Sequence, residues 1–223
     1  MNTDKASVIE VANITKSYYL EKQRTLKKWF RSLFSPYGRF TVIKNVSLAV
    51  NKGEFVLVTG PNGCGKTTLL KLIAGITLPD EGMIKTTGKV VPLIELGAGF
   101  NYELTGYENI ITNATILGIE KKKLKKIVKE IVEFSGVKEF INTPLKRYSS
   151  GMVSRLAFSI AVFSEPDILL LDEIFAVGDK EFREKAINKL TEFKKKGVTI
   201  LLCSHFELNS SLIDRRINLT KVY

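Results

Sequence analysis

The stretch Gly60-Pro61-Asn62-Gly63-Cys64-Gly65-Lys66-Thr67-Thr68 constrains this chain more than any other. It follows a short apolar run, Glu54 to Thr59, that reads as a buried strand. It precedes Leu69 to Ala74, a helical pattern closed by Gly75. Strand, glycine-rich loop and helix in this order form an anion cradle. The glycines let successive backbone N–H groups turn toward one anion, and the helix N-terminus adds the positive end of its dipole. The GxxxxGK[ST] spacing lets Lys66 reach the β- and γ-phosphates of a nucleoside triphosphate and lets the Thr67 hydroxyl ligate Mg²⁺. In its strand–loop–helix context, the full spacing favours a phosphate site over an ordinary glycine-rich turn with a surface lysine.

Three more constellations carry chemistry. Ile168 to Leu171 end in Asp172-Glu173, two carboxylates at the C-terminal edge of a parallel strand, where open sheets of this kind bind ligands. One carboxylate can hold Mg²⁺ and the other can polarise a water, although strand-terminal acidic pairs are also often structural. His205 is the sole histidine and stands just past the strand Val198 to Cys203, a position open to catalytic and structural roles alike. Ser149-Ser150-Gly151 opens a helix over Met152 to Val162, either as a serine N-cap or as a second anion site. Tyr18, near the end of a first strand at Val8 to Ile14, either stacks on a base or caps a sheet edge.

Further strands are expected over Phe40 to Val50 and Lys89 to Ile94, with Pro79-Asp80-Glu81-Gly82 as a turn between them. Helices are expected near 106–117 and 121–134. In the second, Leu124, Ile127, Val128, Ile131 and Val132 form one apolar stripe against a solvated lysine face. Apolar strands alternating with helices imply an α/β fold with a mostly parallel sheet, and the block from about 97 to 163 reads as a helical subdomain. Between about 22 and 35, Leu26, Trp29, Phe30, Leu33 and Phe34 oppose Arg24, Lys27, Lys28 and Arg31. That is a basic amphipathic helix, suited to a membrane interface or to an ordinary surface position. The net charge of +11 implies an acidic partner surface, lipid or nucleic acid, without choosing between them. No window approaches the roughly 18 apolar residues of a membrane span, and the polar N-terminus carries no cleavable signal pattern. Two distant cysteines read as reduced thiols in the cytosol.

In their order and spacing these motifs resemble the ATP-binding subunit of an ABC transporter across essentially the whole chain, as a single cassette over 1–223. The resemblance implies a P-loop NTPase fold with an antiparallel β part beside the parallel core. Gly60 to Thr67 corresponds to the Walker A loop and Ile168 to Asp172 to the Walker B strand, with Glu173 as catalytic carboxylate and Thr67 and Asp172 on Mg²⁺. Tyr148-Ser149-Ser150-Gly151-Met152 stands at the Leu-Ser-Gly-Gly-Gln signature, with Ser150 replacing a glycine and Met152 the glutamine. Asp179 falls in the D-loop, His205 at the switch histidine and Tyr18 at the adenine-stacking aromatic. The Q-loop has no glutamine. Glu95 is its nearest replacement, and an ungapped count back from Glu108-Asn109 lands on Leu96.

The stretches 93–106, Tyr148 to Met152 and Asp172 to Asp179 are similar to one branch, the bacterial exporters of O-antigen, capsule and teichoic acid polymers. The resemblance implies a homodimer that sandwiches two ATP molecules and drives a separate membrane permease from the cytoplasmic face. Lipid-linked polysaccharide would pass near the inserted helix. Some members append a carbohydrate-binding domain, and the 18 residues after His205 leave no expectation of one here. The alternatives are the ATPase subunit of another ABC exporter and a non-transport ABC ATPase acting on nucleic acid. Relatives of the second kind carry twin cassettes or a long coiled coil, which 223 residues do not hold, so no nucleic-acid partner is expected.

Overall fold

The structure is a computed structural model that describes residues 6–19, 39–94, 97–172, 179–204 and 211–220. Two sheets organise it. Strands β1 (Ser7–Tyr19), β2 (Arg39–Asn51) and β4 (Glu81–Thr86) form an antiparallel sheet in the order β2-β1-β4. Strands β3 (Phe55–Thr59), β5 (Val90–Leu93), β6 (Ile168–Asp172), β7 (Thr199–Cys203) and β8 (Arg215–Asn218) form a parallel sheet in the order β5-β6-β7-β3-β8.

The central strands β3, β6 and β7 are each apolar at four of five positions because both faces of the parallel sheet are covered. Along β3, Phe55 and Leu57 point into one cluster, and Val56 and Val58 into the other. The first cluster is closed by α5 (Lys180–Lys195) through Phe182, Ala186, Leu190 and Phe193. The second is closed by α1 (Lys66–Ile73) and the antiparallel sheet, through Leu69, Leu70, Ile9 and Ile14. A third cluster lies between α2 (Gly106–Ile116), α3 (Lys121–Ser135) and α4 (Ser150–Val162). In α3 the expected stripe is the buried one: Ile127, Val128 and Ile131 are interior, and Leu124 and Val132 flank them.

Three elements depart from the sequence reading. The turn expected at 79–82 runs directly into strand β4, an edge strand whose side chains are mostly exposed. Strand β8 lies beyond the last strand expected, beside β3, and has a charged, exposed face. Helix α5, rich in charge, buries only every fourth residue or so. The inserted helix expected over 22–35 lies outside the described residues.

Candidate functional site

All strands of the parallel sheet end at one edge. The register aligns Val58 with Cys203 and Cys203 with Asp172, so the phosphate loop and the acidic strand end share that edge with β7 between them. Loop residues Gly60 to Gly65 carry the chain from β3 into α1. At Gly60 φ is 152°, and an added Cβ would fall 2.3 Å from the Leu219 carbonyl oxygen and 2.7 Å from Cys64 Sγ. Gly65 caps α1 in the left-handed region at φ 99°, where a Cβ would meet Ile43 and Val42 of β2 at 3.0 and 3.1 Å. Only glycine fits there without strain. Gly65 brings no cap side chain and the first turn of α1 holds no acidic residue, so the positive end of the helix dipole is not offset by a carboxylate there.

Lys66 is 6% exposed and lies back over its own loop, its Nζ donating to the carbonyl oxygens of Gly60 (2.9 Å) and Pro61 (3.2 Å). The N–H of buried Cys64 bonds the Pro61 carbonyl at 3.2 Å and tightens the turn. Pro61, Asn62 and Gly63 form the exposed rim, and Thr68 is half-buried. Cys203 Sγ lies 3.8 Å from the Lys66 carbonyl, which seats α1 on the end of β7. The Thr67 hydroxyl donates to Asp172 Oδ2 at 2.5 Å, across 105 residues of sequence. A neutral oxygen and a carboxylate oxygen this close are the hard donors that Mg²⁺ takes, so this pair fits the ion.

Tyr18 is 40% exposed. It pairs with Phe40 across β1 and β2, two residues along β2 from the Val42 that abuts Gly65, so its strand end reaches toward the phosphate loop. Among the described residues, β1 pairs beyond Thr15 with β2 alone. Lys16 Nζ stands 5.6 Å from the Tyr18 ring centroid. Sequence reasoning missed what holds this end. Asp80 accepts from Lys16 Nζ (3.0 Å), the Ser17 N–H (2.8 Å) and Arg39 Nη2 (3.4 Å). The Lys16 bond foremost, with Ser17 and Arg39, holds its carboxyl below the ordinary aspartate value. In sequence, Asp80 signals only a turn.

Ser149, Ser150 and Gly151 form the first turn of α4. The two serines are exposed, and Ser149 Oγ accepts the Met152 N–H at 3.2 Å as N-cap. Asp179 caps α5 through the Phe182 N–H at 2.8 Å and also receives Arg155 Nη1 at 2.9 Å. The Phe182 amide above all holds its carboxyl below the usual range. Glu173, His205, Glu95 and Leu96 lie outside the described residues. Glu173 directly follows Asp172, and Glu95 and His205 each stand two residues past a strand that ends on the same edge. Among the described residues no cluster of three or more His, Cys, Asp or Glu side chains could hold a metal, and no helix is long and apolar enough to cross a membrane.

The ABC transporter family model matches residues 43–176. The chain is 44% identical over 217 residues to the O-antigen export system ATP-binding protein RfbB of Klebsiella pneumoniae, covering 93% of this chain and 86% of that one. It is 43% identical over 199 residues to the teichoic acids export ATP-binding protein TagH of Bacillus cereus, covering 88% of this chain but 36% of that protein. In fold it is similar to a dimeric ATP-binding cassette bound to ADP and Pi, at TM-score 0.76 and 22% identity over 96% of this chain and 97% of that one. With its glycine cradle, its buried lysine and its Thr67–Asp172 pair, the chain belongs to the ABC transporter family as an ATP-binding domain.

Proposed function

We propose that this chain is the ATP-hydrolysing subunit of a bacterial exporter of lipid-linked polysaccharide of the O-antigen, capsule or teichoic acid type. It works as a homodimer, peripheral on the cytoplasmic face of the inner membrane, with a separate permease. The observation that carries the reading is the convergence of Lys66, Thr67 and Asp172 at the mouth of a glycine cradle, in a chain 44% identical to an O-antigen export ATP-binding protein.

Entering phosphates replace the Gly60 and Pro61 carbonyls as partners of Lys66 Nζ, and the positive end of the α1 dipole faces them. Thr67 and Asp172 would hold Mg²⁺, which would supply positive charge against the nucleotide phosphates. Tyr18 stacks on adenine. Glu173 orients or deprotonates the attacking water, His205 bonds the γ-phosphate, and Glu95 serves the Q-loop. Ser149, Ser150 and Gly151 of one subunit close on the γ-phosphate held by the other. The whole chain forms one cassette, with 97–163 as its helical subdomain.

An apolar groove of about 350 Å³, lined by Val91, Leu93, Gly97, Phe100, Ile116 and Ala157, opens between β5 and the helices α2 and α4. Ile116 is 71% exposed on its rim, and we assign this surface to the permease. The basic helix over 22–35 serves at the lipid interface, where the polymer carrier is loaded. The test is genetic. A bacterium lacking the chain should lose surface polysaccharide and accumulate lipid-linked polymer inside, the parent sequence should restore export, and Glu173→Gln should not. Changing Arg24, Lys27, Lys28 and Arg31 to glutamine should lower export more than ATP turnover. Normal surface polymer in the deletion strain refutes the export assignment.

A further inference from the structure

We infer that Arg155 and Asp179 form a tie that makes the signature helix α4 and the start of α5 move as one body when two cassettes close on ATP. The inference rests on the reading of Ser149 to Gly151 as the surface that closes on the partner's nucleotide.

Arg155 lies on α4 six residues past Ser149. Its Nη1 donates to Asp179 Oδ2 at 2.9 Å, while Asp179 Oδ1 accepts the Phe182 N–H at 2.8 Å. Both carboxylate oxygens are therefore engaged within their own chain. The resemblance places Asp179 at the nucleotide interface. In the structure its carboxylate is engaged in fixing the first turn of α5.

The surroundings make this a joint between two bodies. Helix α4 spans two clusters: Val153, Leu156 and Ile160 pack among the helices, whereas Phe158, Ala161 and Val162 pack against the parallel sheet. Phe182, whose amide Asp179 caps, meets Phe158 of α4 edge-on at 5.7 Å and Phe134 of α3 at 5.7 Å. Rings from α3, α4 and α5 thus interlock around the residue whose amide Asp179 caps.

Folding stability does not account for the pair. The side chains are 23% and 57% exposed, a setting in which ion pairs add little. Arg155 Nε is the one buried side-chain nitrogen or oxygen without a hydrogen-bond partner among the described residues. A buried nitrogen without a protein partner is a cost of placing the guanidinium here, and an N-cap requires only one of the two Asp179 oxygens. Capping and pairing are also separable, since asparagine caps a helix about as well as aspartate but carries no charge.

Arg155→Ala, Asp179→Asn and the double variant are made in a Glu173→Gln background, with Arg155→Lys alongside. Each is measured for ATP affinity as dilute monomer, for ATP-dependent dimerisation by light scattering, and for melting. Each single loss should weaken ATP-dependent dimerisation roughly tenfold, the usual size of a coupling between sites. The double variant should be no worse than either single one, and the lysine variant should keep part of the coupling. Monomer ATP affinity should stay within about twofold and melting within about 2 °C. Unchanged dimerisation, additive losses, or monomer affinity or melting falling in step would each overturn the tie. If Glu173→Gln alone fails to dimerise on ATP while its monomer still binds ATP, the dimer reading itself fails, and the tie with it.

Discussion

Gly106→Ala is a small change with a calculable cost. Gly106 is the buried first residue of α2, and an alanine Cβ there would sit 2.3 Å from Tyr148 Oη, with the next atoms, both of Ile141, at 3.2 Å. The Tyr148 hydroxyl donates to the Phe140 carbonyl at 2.8 Å, so the ring cannot retreat without breaking that bond. Overpacking of about 1–3 kcal/mol and a lost hydrogen bond of about 1 kcal/mol give a destabilisation of about 2–4 kcal/mol. For a chain of this size that is a fall in melting temperature of about 5–15 °C. Tyr148→Phe alone should cost only about 1 kcal/mol, because the Phe140 carbonyl still accepts the Thr143 N–H at 2.8 Å. It also removes the atom in the way. The double variant should therefore cost about 1–2 kcal/mol, well below the sum, when the four proteins are compared by denaturant unfolding. Because Tyr148 directly precedes Ser149, ATP turnover should recover with stability in the double variant. Additivity within about 0.5 kcal/mol would refute the packing argument.

Two other perturbations probe different parts of the site. Lys66→Ala removes a charged donor that phosphates recruit, at about 1.5–3 kcal/mol, so nucleotide titration should show a roughly 10- to 100-fold loss of affinity together with lost turnover. Asp80 has a folded-state carboxyl held below its ordinary value of 3.8, so its contribution to stability is present above that value and lost as pH falls through the lower folded one. The melting difference between parent and Asp80→Asn should therefore be constant above about pH 5 and shrink below about pH 4.

What the sequence makes legible follows from how each element is buried. Runs such as Ile168 to Leu171 are apolar throughout because both faces of the parallel sheet are covered, and α3 shows its stripe because one face only is buried. Strands β4 and β8 are edge strands with largely exposed side chains, so their pairing is fixed by backbone bonds that leave no apolar pattern. Helix α5 is masked by its charge, although Phe182, Ala186, Leu190 and Phe193 keep helical spacing. The phosphate loop is legible because its chemistry is local and its spacing rigid. Thr67 meeting Asp172 follows from two motifs already read and a parallel sheet. The Arg155–Asp179 pair and the Asp80 cluster join residues 24 to 64 positions apart whose types are common on any surface, and only the fold brings them together.

The most direct test of the account is phosphate release by the purified chain at saturating MgATP, compared with Glu173→Gln, with mass followed by light scattering. The variant should keep ATP bound while hydrolysis falls roughly 10²- to 10⁴-fold, the usual worth of a general base. Its mass should rise on ATP from 25.0 kDa to about twice that value. Near-parental turnover by Glu173→Gln, or a mass that stays at the monomer value with ATP bound, would contradict the account.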